Sequence, residues 1–228
     1  MKQLFGQFIL ARKYLKNISD ATAYSYGNAC QALFTLHGSD LRLGDLTKEQ
    51  LSNRIITMRQ HGLSAGGCNV YIRTVNAFLN WLHEEDRIKA KIKLPLLKEE
   101  QKVIQPFSVD QARRIVHWKP KCDSMRRLHV LMLLLLDTGM RIEEAFTLRK
   151  EQVNLDDLLI TVNGKGKKQR IIPMSFEMRK ILFRHLSGST SILVFSTRNG
   201  LRLKHRNVLR DMKDVAKRIG IAGVRVSP

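Results

Sequence analysis

The stretch Asp137-Thr138-Gly139-Met140-Arg141-Ile142-Glu143-Glu144-Ala145-Phe146-Thr147-Leu148-Arg149 decides how the rest of this chain is read. It follows Met125 to Leu136, a run that is apolar nearly all round and predicts a buried helix. Gly139 then lets the chain turn sharply, because glycine tolerates positive φ at little cost. Arg141 falls at or near the start of a second, short helix. There its planar fork can meet a phosphate alongside free backbone N–H groups. Glu144, three residues on, is spaced to reach back and orient it. The residues alone read equally well as an Arg–Glu pair on the surface.

Working outward toward the C-terminus, Leu158 to Val162 and Arg170 to Ile172 are short β-branched runs on either side of Asn163-Gly-Lys-Gly-Lys-Lys-Gln-Arg170, which predicts a hairpin. A tip with three lysines and two glycines is cationic and exposed. Lys165 there can serve as a general acid if a nearby phosphate tunes it; the plainer reading is a solvated turn. It is not a phosphate-binding P-loop, because Lys165 is followed by Gly166. Ser108 predicts a cap for a helix through Val116, and Ser175 one for an amphipathic helix through Leu186. Ile192 to Phe195 is a short buried run, and Leu203 to Ile219 a basic helix closed by Gly220.

Toward the N-terminus the pattern is all-helical. Leu4, Phe5, Phe8 and Ile9 repeat at helical spacing. Ser19 or Asp20 opens a second helix through Phe34 and Leu36, stopped by Gly38. Thr47 caps a third, with Gln50 at the capping-box position, and Gly62 ends it. Ser64 starts a fourth, in which Val70, Val75, Phe78, Leu79 and Leu82 form an apolar stripe. Asn69, Arg73 and Asn76 fall on a more polar side, read either as a solvated face or as a face laid in a nucleic-acid groove. Tyr14, Tyr24, Tyr26 and Tyr71 read as core or cap aromatics.

The 228 residues carry 40 Lys+Arg against 20 Asp+Glu, a formal charge of +20. The charge is uneven: residues 1–87 carry +3, residues 88–106 another +3, and residues 107–228 carry +14. The stretch 88–106, IKAKIKLPLLKEEQKVIQP, is Lys-rich and reads as a linker crossing something negative. The expected organisation is a helical unit over 1–87, a basic linker over 88–106 and a mixed unit over 107–228. The apolar fraction of 43% excludes a disordered acidic chain, and the longest apolar run, Val130 to Leu136, is far too short for a membrane span. A basic chain of this kind points to a polyanion, with nucleic acid first. Three cysteines with no metal-ligand spacing predict free thiols in a cytoplasmic, nucleoid-associated protein.

The Arg stretch and the hairpin in series resemble the tyrosine recombinases, or phage integrases, of the lambda-integrase and Xer type. Thr138 to Glu144 with Leu148-Arg149 matches that family's first active-site box. Gly164 to Pro173 matches its hairpin pattern, and Asn69 to Glu85 is similar to the last helix of its core-binding domain. The resemblance implies a mainly helical fold with a small β-hairpin or sheet: a SAM-like helical core-binding domain followed by an incomplete α+β catalytic domain. It implies strand exchange on double-stranded DNA through a phosphotyrosyl link, needing no metal or cofactor. Arg141 would hold the phosphate, Glu144 would support Arg141, and Lys165 would protonate the leaving oxygen. Asn69, Arg73, Lys167, Lys168, Arg170, Lys204, His205 and Arg206 would bind DNA. The protein partner would be a second copy or an intact recombinase on the same DNA; no membrane partner is expected.

The family's second box, H-x-x-R, and its nucleophilic tyrosine are expected beyond Val226-Ser227-Pro228. The four tyrosines are Tyr14, Tyr24, Tyr26 and Tyr71. His185 and His205 read as helix-face or DNA-backbone residues. The expectation is a truncated or defective recombinase of site-specific recombination or prophage integration, without cleavage activity alone. The alternative is a non-catalytic regulator that competes with an intact recombinase for DNA.

Overall fold

A computed structural model describes residues 1–34, 42–100, 105–164 and 169–221. The chain divides into two compact units, Met1–Lys102 and Val103–Pro228.

The first unit is helical throughout: α1 (Lys2–Leu15), α2 (Asp20–Phe34), α3 (Lys48–Gln60) and α4 (Ala65–Glu84). Each predicted start is made by a hydroxyl that takes an orphan backbone N–H. Ser19 accepts from Thr22 at the start of α2, Thr47 from Gln50 at α3 and Ser64 from Gly67 at α4. Gly62, with φ +87, turns the chain between α3 and α4. The expected stop at Leu36 and Gly38 lies outside the described residues.

The twenty-residue α4 packs against α1, α2 and α3. Its Phe78 meets Phe5 and Phe8 edge-on, with centroids 5.0 and 5.4 Å apart, and Tyr26 stacks on Phe8. Two expectations for this unit need correction. Tyr14 and Tyr24 are exposed rather than core, and Val70 is exposed while Asn69 is buried. Val75, Phe78, Leu79 and Leu82 are buried as expected, and Cys68 and Ile72 extend the buried stripe of α4 in place of Val70. Asn69 falls on its edge.

The second unit mixes helix and strand. Its helices are α5 (Val109–His117), α6 (Asp123–Thr138), α7 (Ile142–Thr147), α8 (Phe176–Ser187) and α9 (His205–Arg218). Three antiparallel strands lie between α7 and α8: β1 (Val153–Asn154), β2 (Leu159–Asn163) and β3 (Gln169–Pro173), in the order β1-β2-β3. The hairpin register pairs Ile160 with Ile172 and Asn163 with Gln169. Strand β1 has no sequence signal beyond Val153. Leu158 has positive φ and stands outside β2.

Helix α6 is the axis of this unit and contacts α5, α7, α8 and α9. Leu128, Leu131, Met132 and Leu134 are buried, whereas Leu136 is exposed, so α6 is less enclosed than its composition suggests. Its C-terminal turn is tied to α8: Asp137 accepts from the Ser175 backbone N–H at 2.9 Å. His185, expected as a helix-face or DNA-backbone residue, is half-buried against the loop that follows α8. It bonds the Val194 carbonyl at 2.9 Å and stacks on Phe195 at 5.2 Å.

Candidate nucleic-acid interface and phosphate site

The site grows from the end of α6. Thr138 donates its hydroxyl to the Leu134 carbonyl, and Gly139 adopts the left-handed conformation at φ 61. The reversal buries Met140 and Ile142 and leaves Arg141 between them facing outward. Arg141 occupies the N-cap position of α7, and Glu144 is its third residue.

Glu144 is the hub. One carboxylate oxygen accepts from the Arg141 backbone N–H at 2.8 Å and from Arg170 at 2.8 Å. The other accepts from the Arg141 guanidinium at 3.2 Å. The Glu144 side chain is 6% exposed, whereas that of Arg141 is 70% exposed. A buried carboxylate is costly unless charged donors surround it, and two arginines supply them here. The outcome is an arginine held at its base with most of its five donors facing solvent. Such a fork suits the non-bridging oxygens of a phosphate.

Arg170, expected to bind DNA from the hairpin, sits on β3 opposite Val162. It spends one donor on Glu144, with its side chain 43% exposed. Strand alternation carries this signal: Arg170 and the buried Ile172 share one face. Lys165, Lys167 and Lys168 lie outside the described residues. Beside Glu144 an open groove of about 730 Å3 is lined by polar groups that include Thr147, Asn163, Gln169 and Arg202.

The start of α9 is brought to the same side of the unit. Arg202 forms an ion pair with Glu143, next to Glu144 in sequence, and His205 lies edge-on to Phe146 with centroids 6.4 Å apart. Lys204, His205 and Arg206 are exposed. The Glu143–Arg202 pair has no forerunner in the sequence reading, because its partners lie 59 residues apart with no local pattern to join them.

In the first unit the structure overturns one predicted DNA contact. Asn69 is 1% exposed and holds the backbone of Leu97 through both its side-chain groups. Asn76 does the same at Leu94. Both polar side chains are spent on their own unit. Residues 88–97, expected to be a linker, pack on this unit through Ile88, Ile92, Leu94 and Leu97. The lysines at 89, 91, 93 and 98 are exposed. Arg73 is exposed, 3.9 Å from Glu99.

The phage integrase family model matches residues 105–228. The chain belongs to this family, the tyrosine recombinases. Among its relatives, the tyrosine recombinase XerC of Xanthomonas campestris pv. campestris (strain B100) is 28% identical over 186 residues, which is 78% of this chain and 57% of that protein. The tyrosine recombinase XerA of Thermococcus kodakarensis is 28% identical over 191 residues, 81% of this chain and 65% of that protein. The chain thus spans a little over half to just under two thirds of these recombinases.

Solved structures carry the same fold. The Tn1549 transposon integrase, in complex with circular intermediate DNA, has a TM-score of 0.76 at 16% identity, covering 99% of this chain and 80% of that one. A lambda integrase tetramer bound to a Holliday junction has a TM-score of 0.79 at 15% identity, covering 98% and 64%. Among the described residues no helix is long and apolar enough to cross a membrane.

Proposed function

We propose that this chain is a DNA-binding recombinase of the integrase type, acting in site-specific recombination, whose second unit holds a DNA phosphate on Arg141. The observation that carries the reading is the Glu144 carboxylate, buried between Arg141 and Arg170, with the Arg141 fork left open to solvent. Cationic donors fixed before the phosphate arrives stabilise the charge that develops on it during strand transfer. Lys165 is the general acid in this reading, and Lys167, Lys168, Arg170, Lys204, His205 and Arg206 hold the DNA backbone around it. Arg73 and the exposed lysines of residues 88–98 add contacts from the first unit.

A phosphotyrosyl step needs a tyrosine at the phosphate. The tyrosines at 14, 24, 26 and 71 all belong to the first unit, three of them on its first two helices. We therefore propose that a polypeptide of these 228 residues binds duplex DNA without forming the covalent link. The same feature favours a second reading, in which the chain occupies sites that an intact recombinase would use. The test is a nicked suicide substrate incubated with the purified chain. The expected result is a retarded complex that denaturant dissolves. A band that survives denaturant would refute the non-covalent reading, and loss of recombination by an intact enzyme on adding the chain would support the competitor reading.

A further inference from the structure

A second cationic site lies away from Arg141. Helices α6 and α8 pack side by side and antiparallel, since Asp137 at the end of α6 holds Ser175 at the start of α8. At the other end of this pair an open groove of about 960 Å3 takes in Arg127 from α6, Arg184 from α8 and Arg198 from the loop that follows. Along α6, Arg127 stands about 17 Å from Thr138 at 1.5 Å per residue. The groove is therefore distinct from the Arg141–Glu144–Arg170 cluster.

Its three arginines have no ion-pair or hydrogen-bond partner among the described residues. The neighbouring Arg126, by contrast, is paired with Asp123 at 2.6 Å. Arg127 is half-buried, and burial first and the charge of Arg198 second push its pKa down, with Asp211 opposing them. Like charges gathered without a direct counter-ion cost stability unless a ligand offsets it. The walls are held in place. The Thr197–Leu201 turn closes through the Thr197 N–H to the Leu201 carbonyl at 2.8 Å, and Lys150 bonds the Ser189 carbonyl.

Besides the arginines the groove is lined by two partly exposed apolar side chains, Val130 and Ile181, by the Asp123–Arg126 pair and by hydroxyl residues such as Ser189, Ser196 and Thr197. The combination of arginines with apolar side chains discriminates between anions. A nucleic-acid backbone presents phosphates but no apolar side groups at the same spacing, and would leave the apolar lining wet. A peptide that alternates carboxylates with apolar side chains satisfies both parts. We infer that this groove is a docking site for an acidic, partly apolar segment of a protein partner, with its carboxylates on Arg127, Arg184 and Arg198.

The test uses the full chain saturated with duplex DNA and a short fluorescein-labelled peptide of alternating glutamate and leucine, followed by anisotropy. The peptide is expected to bind without displacing DNA. Charge reversal at two positions, R184E with R198E, weakens it by about tenfold or more, while the charge-matched pair K2E with K48E on the first unit has a much smaller effect. The neutral pair R184Q with R198Q falls between wild type and reversal. No binding, equal weakening by both reversed pairs, or displacement of the peptide by added duplex would each overturn the proposal; the last outcome would assign the groove to nucleic acid.

Discussion

Asn69 and Leu97 are joined by two hydrogen bonds across 28 residues. The Asn69 amide nitrogen donates to the Leu97 carbonyl at 2.9 Å, and its oxygen accepts from the Leu97 N–H at 2.8 Å. Asn76, seven residues on and so on the same face of α4, repeats the arrangement at Leu94 with 2.9 and 2.8 Å. Two side chains thus do for this extended segment what a neighbouring strand would do, satisfying its backbone groups while Leu94 is buried. The segment runs along the first unit in a fixed path with its lysines exposed.

Replacing Asn69 with Ala strands a donor and an acceptor of Leu97 in a partly enclosed place. The expected loss of stability is about 1–3 kcal/mol. The Leu97 amide should exchange with deuterium faster in N69A, and the Leu94 amide faster in N76A, than in the wild type, with the cores of α1 and α4 unaffected. Unchanged exchange at both amides would show that the packing of Leu94 alone holds the segment.

Glu144→Gln keeps the shape of the hub and removes its charge. One amide oxygen cannot accept from both arginines and the Arg141 N–H as the carboxylate does, and its NH2 group faces donors. The second unit is expected to lose about 1–3 kcal/mol, less than a fully buried pair would because both arginines reach solvent. Chemical denaturation with a probe in the second unit measures it. A stability equal to wild type would mean that Glu144 contributes no net orientation to Arg141.

His185 gives the second unit a specific pH response. Burial holds its pKa below the ordinary 6.5, with Arg127 and Lys150 adding to this and the bond to Val194 opposing it. The folded state therefore keeps the ring neutral where the unfolded chain takes up a proton. Stability from this group is whole above pH 6.5 and falls as pH drops through that value toward the lower folded pKa. H185Q should start about 1 kcal/mol less stable at neutral pH, for loss of the Val194 bond, and show a flatter acid limb. Parallel curves for the two proteins would rule out the His185 contribution.

The lysines at 89, 91, 93 and 98 are exposed, and in the proposed function they meet DNA phosphates. Replacing all four with Gln should reduce the slope of log K against log salt by about 0.9 for each phosphate no longer neutralised, up to about 3–4 in total. An unchanged slope would place DNA on other faces of the first unit.

How much of the fold and the site is legible in the sequence follows from the range of each interaction. Thr47, Ser64, Ser108 and Ser175 cap their helices through bonds that span three residues, so a local reading finds them. The Arg141–Glu144 contact also spans three residues and is readable from spacing. Arg170 is harder: the hairpin is evident, but only strict alternation with Ile172 puts its side chain on the face toward Glu144. Asn69 and Asn76 escape a local reading because a helical wheel shows which face is polar and not what covers it. Their partners arrive from a segment whose composition reads as a free linker. His185 escapes it for the same reason, since Phe195 and Val194 reach it from a loop.

The most direct measurement of the central claim is the affinity of duplex DNA for wild type, Arg141→Gln and Arg141→Lys across a salt series. If the open fork of Arg141 holds a phosphate, Arg141→Gln lowers the affinity and reduces the slope of log K against log salt by about 0.9. Arg141→Lys restores the slope but not the full affinity, because an ammonium keeps the charge and loses the two-pronged geometry. Equal affinity and equal slope for all three proteins would contradict the placement of a DNA phosphate on Arg141.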